Sequence, residues 1–211
     1  ERQLLYLSQA DVRATGLTMS EIIAALETAF KEHAAGRVEM PPKPGIHTRP
    51  DAFIHAMPAY IPALQSAGVK WVSGYPANAE RGLPYINGLL ILNDEETGLP
   101  LAVMDCTWIT ALRTGAATAL AARHLARPEA EALGILGCGV QGRSNLMALK
   151  TVFALKRVVA YDAVPENVER FARLVERLGL EAVQATEPRQ AVEGMDLVVT
   201  AGPILHRPHA T

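Results

Sequence analysis

The feature that most constrains this chain is a glycine-rich loop between an apolar segment and the start of a helix. Residues 133–136 are apolar, and residues 137–142 read Gly-Cys-Gly-Val-Gln-Gly, a Gly-x-Gly-x-x-Gly pattern. A second apolar segment, residues 157–161, ends at Asp162, about 20 residues beyond the last glycine of the loop. This order of elements indicates a β-α-β unit that binds a dinucleotide: a strand, the glycine loop, a helix, and a second strand that ends in an acidic residue.

The three glycines of the loop have different expected tasks. Gly137 permits the tight turn out of the strand, Gly139 lets the backbone approach a pyrophosphate, and Gly142 lets the helix pack against the strand. The start of the helix offers free N–H groups and the positive end of its dipole to the phosphates. The alternative is a glycine-rich turn that only packs a helix on a sheet. The register of strand, loop, helix and terminal acid favours nucleotide binding.

Asp162 also bears on which nucleotide is bound. A carboxylate at this strand end accepts hydrogen bonds from the ribose hydroxyls of the adenosine. A 2′-phosphate placed there would be repelled by about 4 kcal/mol at about 4 Å, for an effective dielectric constant of about 20. The residues that follow, Ala163 and Val164, supply no positive charge to offset this repulsion. The sequence therefore predicts NAD and not NADP.

The composition argues against several classes of protein. The 211 residues are 49% hydrophobic, enough for one large or two small domains, and the net charge of −2 provides no basic surface for nucleic acid. No apolar run approaches the roughly 20 residues of a membrane span, and the first residues lack a signal-peptide pattern. Cys106, Cys138, His47 and His55 show no metal spacing. We expect a soluble cytoplasmic protein with no metal and no membrane partner, and we expect Cys138 to pack inside the loop.

Residues 1–37 are predicted to be helical. Ser8 and Thr18 each precede an acidic residue by three positions, which is the pattern of a capping box. Gly16 and Gly36 follow the two periodic segments and are expected to end the helices.

The middle of the chain predicts an antiparallel sheet. Residues 40–45 are rich in proline, which is excluded from central strands, so we expect an extended loop there. Residues 94–98 have the composition of a hairpin turn. Four strands punctuated by turn residues are expected at 52–60, 69–74, 86–93 and 100–106.

The last part of the chain alternates between strands and helices after one long alanine-rich helix, residues 107–126. Such alternation indicates a parallel, doubly wound sheet. The predicted fold class is therefore α/β, with a Rossmann-type sheet in residues 128–211 and an α+β domain in residues 1–127. The predicted strands are 131–137, 157–161, 181–184 and 196–200, and the predicted helices are 140–155, 166–178 and 188–194.

A complete dinucleotide-binding sheet of this type has a second half after the strand at 196–200, and only residues 201–211 follow it. The C-terminal half of the sheet is therefore expected to be missing, which would leave an unprotected edge strand. On this interpretation the 211-residue chain alone is inactive or poorly folded.

Further motifs resemble those of the ornithine cyclodeaminase/mu-crystallin family over nearly the whole chain. No single motif is specific, but their combination is. They are Met57-Pro58-Ala59-Tyr60, Gly68-Val69-Lys70, Pro76 with Asn78, Gly82-Leu83-Pro84, Asp94 with Thr97-Gly98, Asp105 with the run from Thr110 to Ala117, and the glycine loop.

The resemblance implies a homodimer of two-domain subunits and hydride transfer between a nicotinamide and the α-carbon of a small amino acid or its imine. The N-terminal domain would bind the substrate and form the dimer. The resemblance leaves several activities open: ornithine cyclodeaminase, amino-acid (alanine) dehydrogenase, cyclic imine reductase running in the opposite direction, and a non-catalytic nucleotide-binding protein like mu-crystallin.

The family's functional residues carry over to particular positions of this sequence. Lys70 and Arg113 match cations that contact the substrate carboxylate, and Arg113 also reaches the cofactor, as does Thr114 beside it. Two positions depart from the family pattern. Lys43 stands where many members have an arginine, and a lysine lacks the bidentate fork with which an arginine binds a carboxylate. Tyr85 stands where a cyclodeaminase has a threonine. The family's catalytic aspartate would lie beyond Thr211. The remaining assigned cofactor positions are Val140 and Gln141, at the pyrophosphate, and Thr200, beside a ribose.

Overall fold

The computed structural model describes residues 3–202 and contains two compact units, Glu1–Thr110 and Ala111–Thr211. Each unit combines helices with one sheet, which confirms the predicted α/β class. The division falls within the alanine-rich helix, whereas the sequence interpretation assigns that helix to the first domain. No helix in the described part of the chain has the length and apolar character needed to cross a bilayer.

Both predicted capping boxes are present at the start of the first unit. The Ser8 hydroxyl accepts a hydrogen bond from the Asp11 N–H (3.3 Å), and the Asp11 carboxylate accepts one from the Ser8 N–H (2.9 Å). Thr18 and Glu21 repeat this arrangement. These caps satisfy N–H groups that a helix start otherwise leaves unpaired. The elements they begin are α1 (Gln9–Ala14) and α2 (Met19–Ala34).

The expectation that residues 1–37 are helical throughout is wrong at β1 (Leu5–Leu7), which is a strand. Leu5 pairs in parallel with Ala102, almost a hundred residues away in the sequence. Pairing with a distant strand satisfies the backbone of this segment, and no local pattern carries that information. Gly16 and Gly36 both have a φ of +71° beyond the helices, as expected of helix-ending glycines.

The sheet of the first unit has six strands in the order β1-β6-β5-β4-β3-β2. Neighbours from β2 to β6 are antiparallel, as predicted, and only β1 is parallel to its neighbour. The strand β2 was not predicted: it follows the proline-rich loop and lies at an edge, where proline is tolerated. The bounds are β2 (Gly45–Ile46), β3 (Phe53–Ile61), β4 (Ser66–Gly74), β5 (Ile86–Asn93) and β6 (Pro100–Asp105).

The sheet of the second unit has four parallel strands in the order β10-β7-β8-β9. Counted within this unit, the order is 4-1-2-3, the first four strands of the usual 3-2-1-4-5-6 arrangement. The predicted helix 188–194 is instead a single 3-10 turn, Pro188–Ala191. The elements are α3 (Thr107–Leu125), β7 (Ala132–Leu136), α4 (Val140–Val152), β8 (Arg157–Tyr161), α5 (Pro165–Arg177), β9 (Glu181–Gln184) and β10 (Leu197–Thr200).

The core of the second unit lies on both faces of its two central strands. Leu133 and Ile135 of β7 and Val158 of β8 are fully buried on one face, and Leu136 and Val159 are buried on the other. Leu146 of α4 and Phe171 of α5 are fully buried as well. Burial on both faces is typical of parallel strands flanked by helices. This packing holds the end of β7, and therefore the glycine loop that follows it, in a fixed position.

Candidate functional site

The three glycines of the loop differ in their surroundings as predicted. Gly137 has a φ of +104°, and a Cβ added there would lie 2.6 Å from the backbone carbon of Ala201. A Cβ on Gly142 would lie 2.1 Å from the carbonyl oxygen of Gly137, so only glycine allows α4 to pack this closely on the loop. A Cβ on Gly139 would meet no atom of the described chain within 4 Å. The space beside Gly139 is therefore open to a ligand.

The start of α4 faces this open space without a capping side chain. The residue before the helix is Gly139, and its carbonyl accepts the first helical hydrogen bond, from the Arg143 N–H (3.1 Å). The N–H groups of Val140 and Gln141 lie in the first turn, where an α-helix supplies them no partner. A glycine cap, free N–H groups and the helix dipole together form an arrangement suited to a phosphate group.

Asp162 links the glycine loop to the start of α5. One carboxylate oxygen accepts a hydrogen bond from the Cys138 N–H (2.8 Å). The other accepts from the Val164 N–H (2.9 Å) and from the side-chain amide of Asn167 (3.2 Å). Each carboxylate oxygen has two lone pairs, so the oxygen that bonds Cys138 can still accept a hydrogen bond from a ribose hydroxyl. The acid thus supports the loop and also offers an acceptor to a nucleotide.

Cys138 is buried within the loop, as predicted. Its thiol donates a weak hydrogen bond to the carbonyl oxygen of Tyr161 (3.6 Å). Burial, and next the negative charge of Asp162, raises the pKa of this thiol to about 12. Cys138 therefore stays protonated at neutral pH and contributes packing, not nucleophilic chemistry.

Thr200 ends β10 at the same edge of the sheet as the glycine loop. It pairs with Leu136, the last residue of β7, and the next N–H, of Ala201, donates to the Leu136 carbonyl (2.7 Å). The strand order reverses between β7 and β10, and ligands of open α/β sheets bind at such a switch point, beyond the carboxyl ends of the strands. The structure thus places Thr200 at the same edge of the sheet as the glycine loop, and its contact with a ribose stays a prediction.

Arg113 and Thr114 lie on α3, just before its close contact with α4. A Cβ added to Gly115 would lie 2.4 Å from the backbone oxygen of Ser144, so the two helices touch at this glycine. Arg113 is exposed and Thr114 is half-buried. Arg113 and Thr114 therefore lie in a helix segment that packs directly on α4, the helix that follows the glycine loop.

In the first unit, Lys70 lies in the centre of the six-stranded sheet. It is half-buried on β4, between Met57 of β3 and Leu90 of β5. Gly45 pairs with His55, and continuing this antiparallel register by two residues puts Lys43 opposite Met57. Lys43 and Lys70 therefore project from the same face of the sheet, because residues directly opposite one another share a face.

His55 belongs to the same face, although its sequence context indicated only a structural or pocket-lining residue. Its ring stacks on Phe53 with centroids 4.3 Å apart and meets His47 edge-on at 6.3 Å. Burial lowers the pKa of His55, and the positive charges of Lys43 and His47 lower it further. The alternation Phe53-x-His55-x-Met57 was the sequence signal that could have placed this side chain next to the lysines. We call this surface, formed around Lys43, His47, His55 and Lys70, the lysine face.

Cys106 is buried on the lysine face. Burial raises the pKa of its thiol, while a hydrogen bond with Thr110 and the nearby Lys70 ammonium offset part of that rise.

Tyr85, which stands where a cyclodeaminase has a threonine, lies just before β5. Its backbone carbonyl accepts a hydrogen bond from the Tyr75 N–H (2.9 Å). Within residues 3–202, no group of three or more His, Cys, Asp or Glu side chains is arranged to hold a metal ion.

A parallel sheet in the 3-2-1-4 order, with a glycine loop at the switch point and an acid at the end of the second strand, defines a Rossmann-type dinucleotide-binding domain. The comparison with known families is more specific. The chain belongs to the ornithine cyclodeaminase/mu-crystallin family, whose sequence profile matches residues 3–208. The resemblance inferred from the motifs is therefore confirmed.

The chain is similar to enzymes of amino-acid metabolism. Alanine dehydrogenase from Archaeoglobus fulgidus is 39% identical over 201 residues, which are 95% of this chain and 61% of that protein. The Δ1-pyrroline-2-carboxylate reductase of Thermococcus litoralis, solved with NADH and L-proline, is 37% identical with a TM-score of 0.90, over 93% of this chain and 61% of the reductase. An archaeal alanine dehydrogenase dimer with bound NAD is 40% identical with a TM-score of 0.88, over 93% of this chain and 60% of the dehydrogenase. The chain thus spans about three fifths of the length of these relatives.

Proposed function

We propose that this protein transfers a hydride between NAD and the α-carbon of a small amino acid or its imine. The observation that carries the proposal is the glycine loop, open beside Gly139 and tied to Asp162 at the switch point of a parallel sheet. NAD is the cofactor: the loop fits a pyrophosphate, the acid fits an adenosine ribose, and two similar structures hold NADH or NAD.

The lysine face supplies the substrate half of the proposal. Lys43 and Lys70 would bind the α-carboxylate and so orient the α-carbon, and Arg113 has the same role through its match to the family. When bound, the nicotinamide accepts the hydride that leaves the α-carbon. Fixed orientation of reacting groups lowers a barrier by several kcal/mol, which is the contribution expected of these cations.

The fate of the imine separates the finer activities. In a reaction like that of ornithine cyclodeaminase, the side-chain amine attacks the imine, ammonia leaves, and the hydride returns to give proline. In a reaction like that of alanine dehydrogenase, water attacks the imine and NADH is released. A reductase runs the hydride step in the other direction, and a non-catalytic protein would bind the nucleotide without turnover.

The test of the proposal is an NAD titration followed by an amino-acid screen. We expect NAD to bind, and we expect NADH absorbance, or proline and ammonia, on incubation with alanine, ornithine or lysine. Binding of NAD without turnover of any amino acid or imine would support the non-catalytic alternative. No binding of NAD would contradict the proposal as a whole.

The preference for NAD is expected to depend on the charge of Asp162. In Asp162→Asn, affinity for NAD should fall and affinity for NADP should rise, because a like charge facing the 2′-phosphate is removed. The dissociation constant of NADP divided by that of NAD should therefore decrease at least about tenfold. Isothermal titration with both nucleotides measures this ratio. The melting temperature is the control, since the amide cannot accept from Cys138, Val164 and Asn167 as the carboxylate does. An unchanged ratio in a folded variant would contradict the assignment.

We also propose that the chain forms a homodimer through the face of the first sheet opposite the lysine face. Trp71 pairs with Leu89 there, and they are 48% and 40% exposed; Tyr6, on the same face, is 73% exposed. Several large apolar side chains exposed on one sheet face indicate a surface that another protein covers. A second copy is the occupant favoured by the similar alanine dehydrogenase, which is a dimer. A cytoplasmic location stays a prediction.

The dimer proposal predicts a change of mass in solution. Trp71→Glu should convert a dimer to a monomer in sedimentation velocity, because a charge would be buried in an apolar interface. Phe30→Glu is the matched control: Phe30 is also exposed, at 53%, but lies on α2 outside this face, and its variant should remain dimeric. A Trp71→Glu protein that sediments like the wild type would show that the interface lies elsewhere.

A further inference from the structure

Arg143 is an exposed cation near the start of α4, one helical turn after the second glycine of the loop. Its backbone N–H donates to the carbonyl oxygen of Gly139 (3.1 Å). Residues four positions apart in a helix are neighbours on one face. Gly139, whose surroundings are open, and Arg143 therefore lie on the same side of the start of α4.

We propose that Arg143 is a further cofactor-binding residue, whose guanidinium binds the pyrophosphate of NAD at the start of α4. The proposal rests on the proposed function, because it takes NAD to be the nucleotide at the glycine loop. It adds a charged side chain to the backbone N–H groups of Val140 and Gln141, and a guanidinium suits a phosphate group because it can donate two hydrogen bonds to it at once.

The direction of side chains in a helix supports this assignment. Long side chains lean towards the N-terminus of an α-helix and cover the turn before their own residue. For Arg143 that turn begins with Gly139 and Val140. Gly139 has no side chain and Val140 is 67% exposed, so neither of them fills the place of the guanidinium. One turn is about 5.4 Å long, which an extended arginine side chain can span.

The charge of Arg143 acts on the glycine loop. Burial and the Asp162 carboxylate raise the pKa of the Cys138 thiol to about 12, and the Arg143 guanidinium offsets part of this rise. The hydrogen bonds of Asp162 go to Cys138, Val164 and Asn167, so within residues 3–202 this carboxylate is not the partner of Arg143. A phosphate group bound at the loop would be attracted by the same positive charge.

An arginine at this position does not stabilise the helix by itself. The N-terminal end of a helix carries partial positive charge, which favours acidic side chains and disfavours basic ones. The sequence of α4 contains no acidic residue, and the positions three and four away from Arg143 are uncharged: Gly139, Val140, Leu146 and Met147. A bound pyrophosphate would offset both the helix dipole and the guanidinium, which gives the arginine a function that helix stability does not supply.

The experiment measures nucleotide binding by the full-length protein and its variants, using isothermal titration with NAD, ADP-ribose and adenosine, by displacement where binding is weak. Arg143→Met should weaken binding of NAD and ADP-ribose about fivefold to twentyfold, as expected for one charge-assisted hydrogen bond at an exposed site. Adenosine lacks the pyrophosphate, so its affinity should stay within about twofold. Arg143→Lys should lie between the wild type and Arg143→Met, because lysine keeps the charge but not the fork.

Lys150→Met is the matched control. Lys150 is exposed on α4 about two turns after Arg143, on the same face of the helix. Its loss removes the same charge from the same helix at a distance from the loop, so all three affinities should stay within about twofold. Arg143→Met should also reduce the salt dependence of NAD binding, and Lys150→Met should not.

Stability without nucleotide separates a binding role from a structural one. The melting temperature of Arg143→Met should equal or exceed that of the wild type, because a cation is removed from the positive end of a helix dipole. Equal losses of affinity for NAD, ADP-ribose and adenosine, or no loss for any of them, would overturn the inference. A loss confined to NADP would overturn it as well, by assigning Arg143 to the 2′-phosphate. A wild-type protein that binds no NAD would contradict the proposed function itself.

Discussion

Gly142→Ala should destabilise the second unit by about 2–3 kcal/mol, the usual cost of forcing extra atoms into a packed interior. An added Cβ would lie 2.1 Å from the backbone oxygen of Gly137 and 3.3 Å from Ile135, and a backbone oxygen cannot move aside as a flexible side chain can. The sign of the effect is informative, because alanine in an unobstructed helix position stabilises by about 1 kcal/mol relative to glycine. Urea unfolding, with hydrogen exchange followed at β7 and β8, measures the loss.

Gly139→Ala is the matched control for this prediction. It adds the same methyl group to the same loop, but where no atom of the described chain lies within 4 Å. We expect its stability to change by less than about 1 kcal/mol, the cost of alanine at a helix cap. Its NAD affinity should fall at least about tenfold, because the methyl group occupies the space through which the pyrophosphate approaches the backbone. Equal stability losses in the two variants, or unchanged NAD binding by Gly139→Ala, would contradict the separate roles of these glycines.

Lys70→Met should lower kcat/KM for the amino-acid substrate by about 30-fold to 3,000-fold, the range expected when one partner of a desolvated charge pair is removed. The dissociation constant of NAD measured without substrate should not change, because the assigned role of Lys70 is contact with the substrate carboxylate and not with the cofactor. The variant should still fold, since methionine keeps the approximate length and the apolar stem of the lysine side chain. Steady-state kinetics, NAD titration and thermal unfolding together test these three expectations.

Lys31→Met provides the comparison for Lys70→Met. Lys31 lies on α2 in the same unit, is exposed, and pairs with Glu27 one helical turn away (2.9 Å). Exposed pairs of this kind contribute little, so kcat/KM should stay within about twofold of the wild type. A Lys70→Met variant with the kinetics of Lys31→Met would remove Lys70 from the substrate site.

The strands that local patterns predicted best are those with clear boundaries. Ile86–Asn93, Arg157–Tyr161 and Glu181–Gln184 begin and end at the predicted residues. Apolar runs of strand length bounded by turn residues contain most of the necessary information. The strands β1 and β2 were missed because each is short and exists only through pairing with another strand, and for β1 that strand is almost a hundred residues away.

Local sequence patterns predicted the nucleotide half of the candidate site but not the substrate half. The glycine loop and Asp162 belong to one β-α-β unit, so their contact through the Cys138 N–H (2.8 Å) follows from a local motif with a known geometry. Lys70 and Lys43 were assigned to the substrate carboxylate only by resemblance to a family. His55 was considered and assigned no chemical role, since an isolated histidine in an apolar strand carries no signal of its neighbours.

The amino-acid sequence by itself determined the fold class, the nucleotide-binding loop and the acid that accompanies it, because each is encoded by residues close together in the chain. Only the tertiary structure decided that Lys43, His55 and Lys70 share one face, with no carboxylate among its members. Their neighbourhood depends on the register of three strands, and a shift of one residue in any strand would turn its side chains to the opposite face. That register is set by turns and packing along the whole sheet, and no single segment of the sequence specifies it.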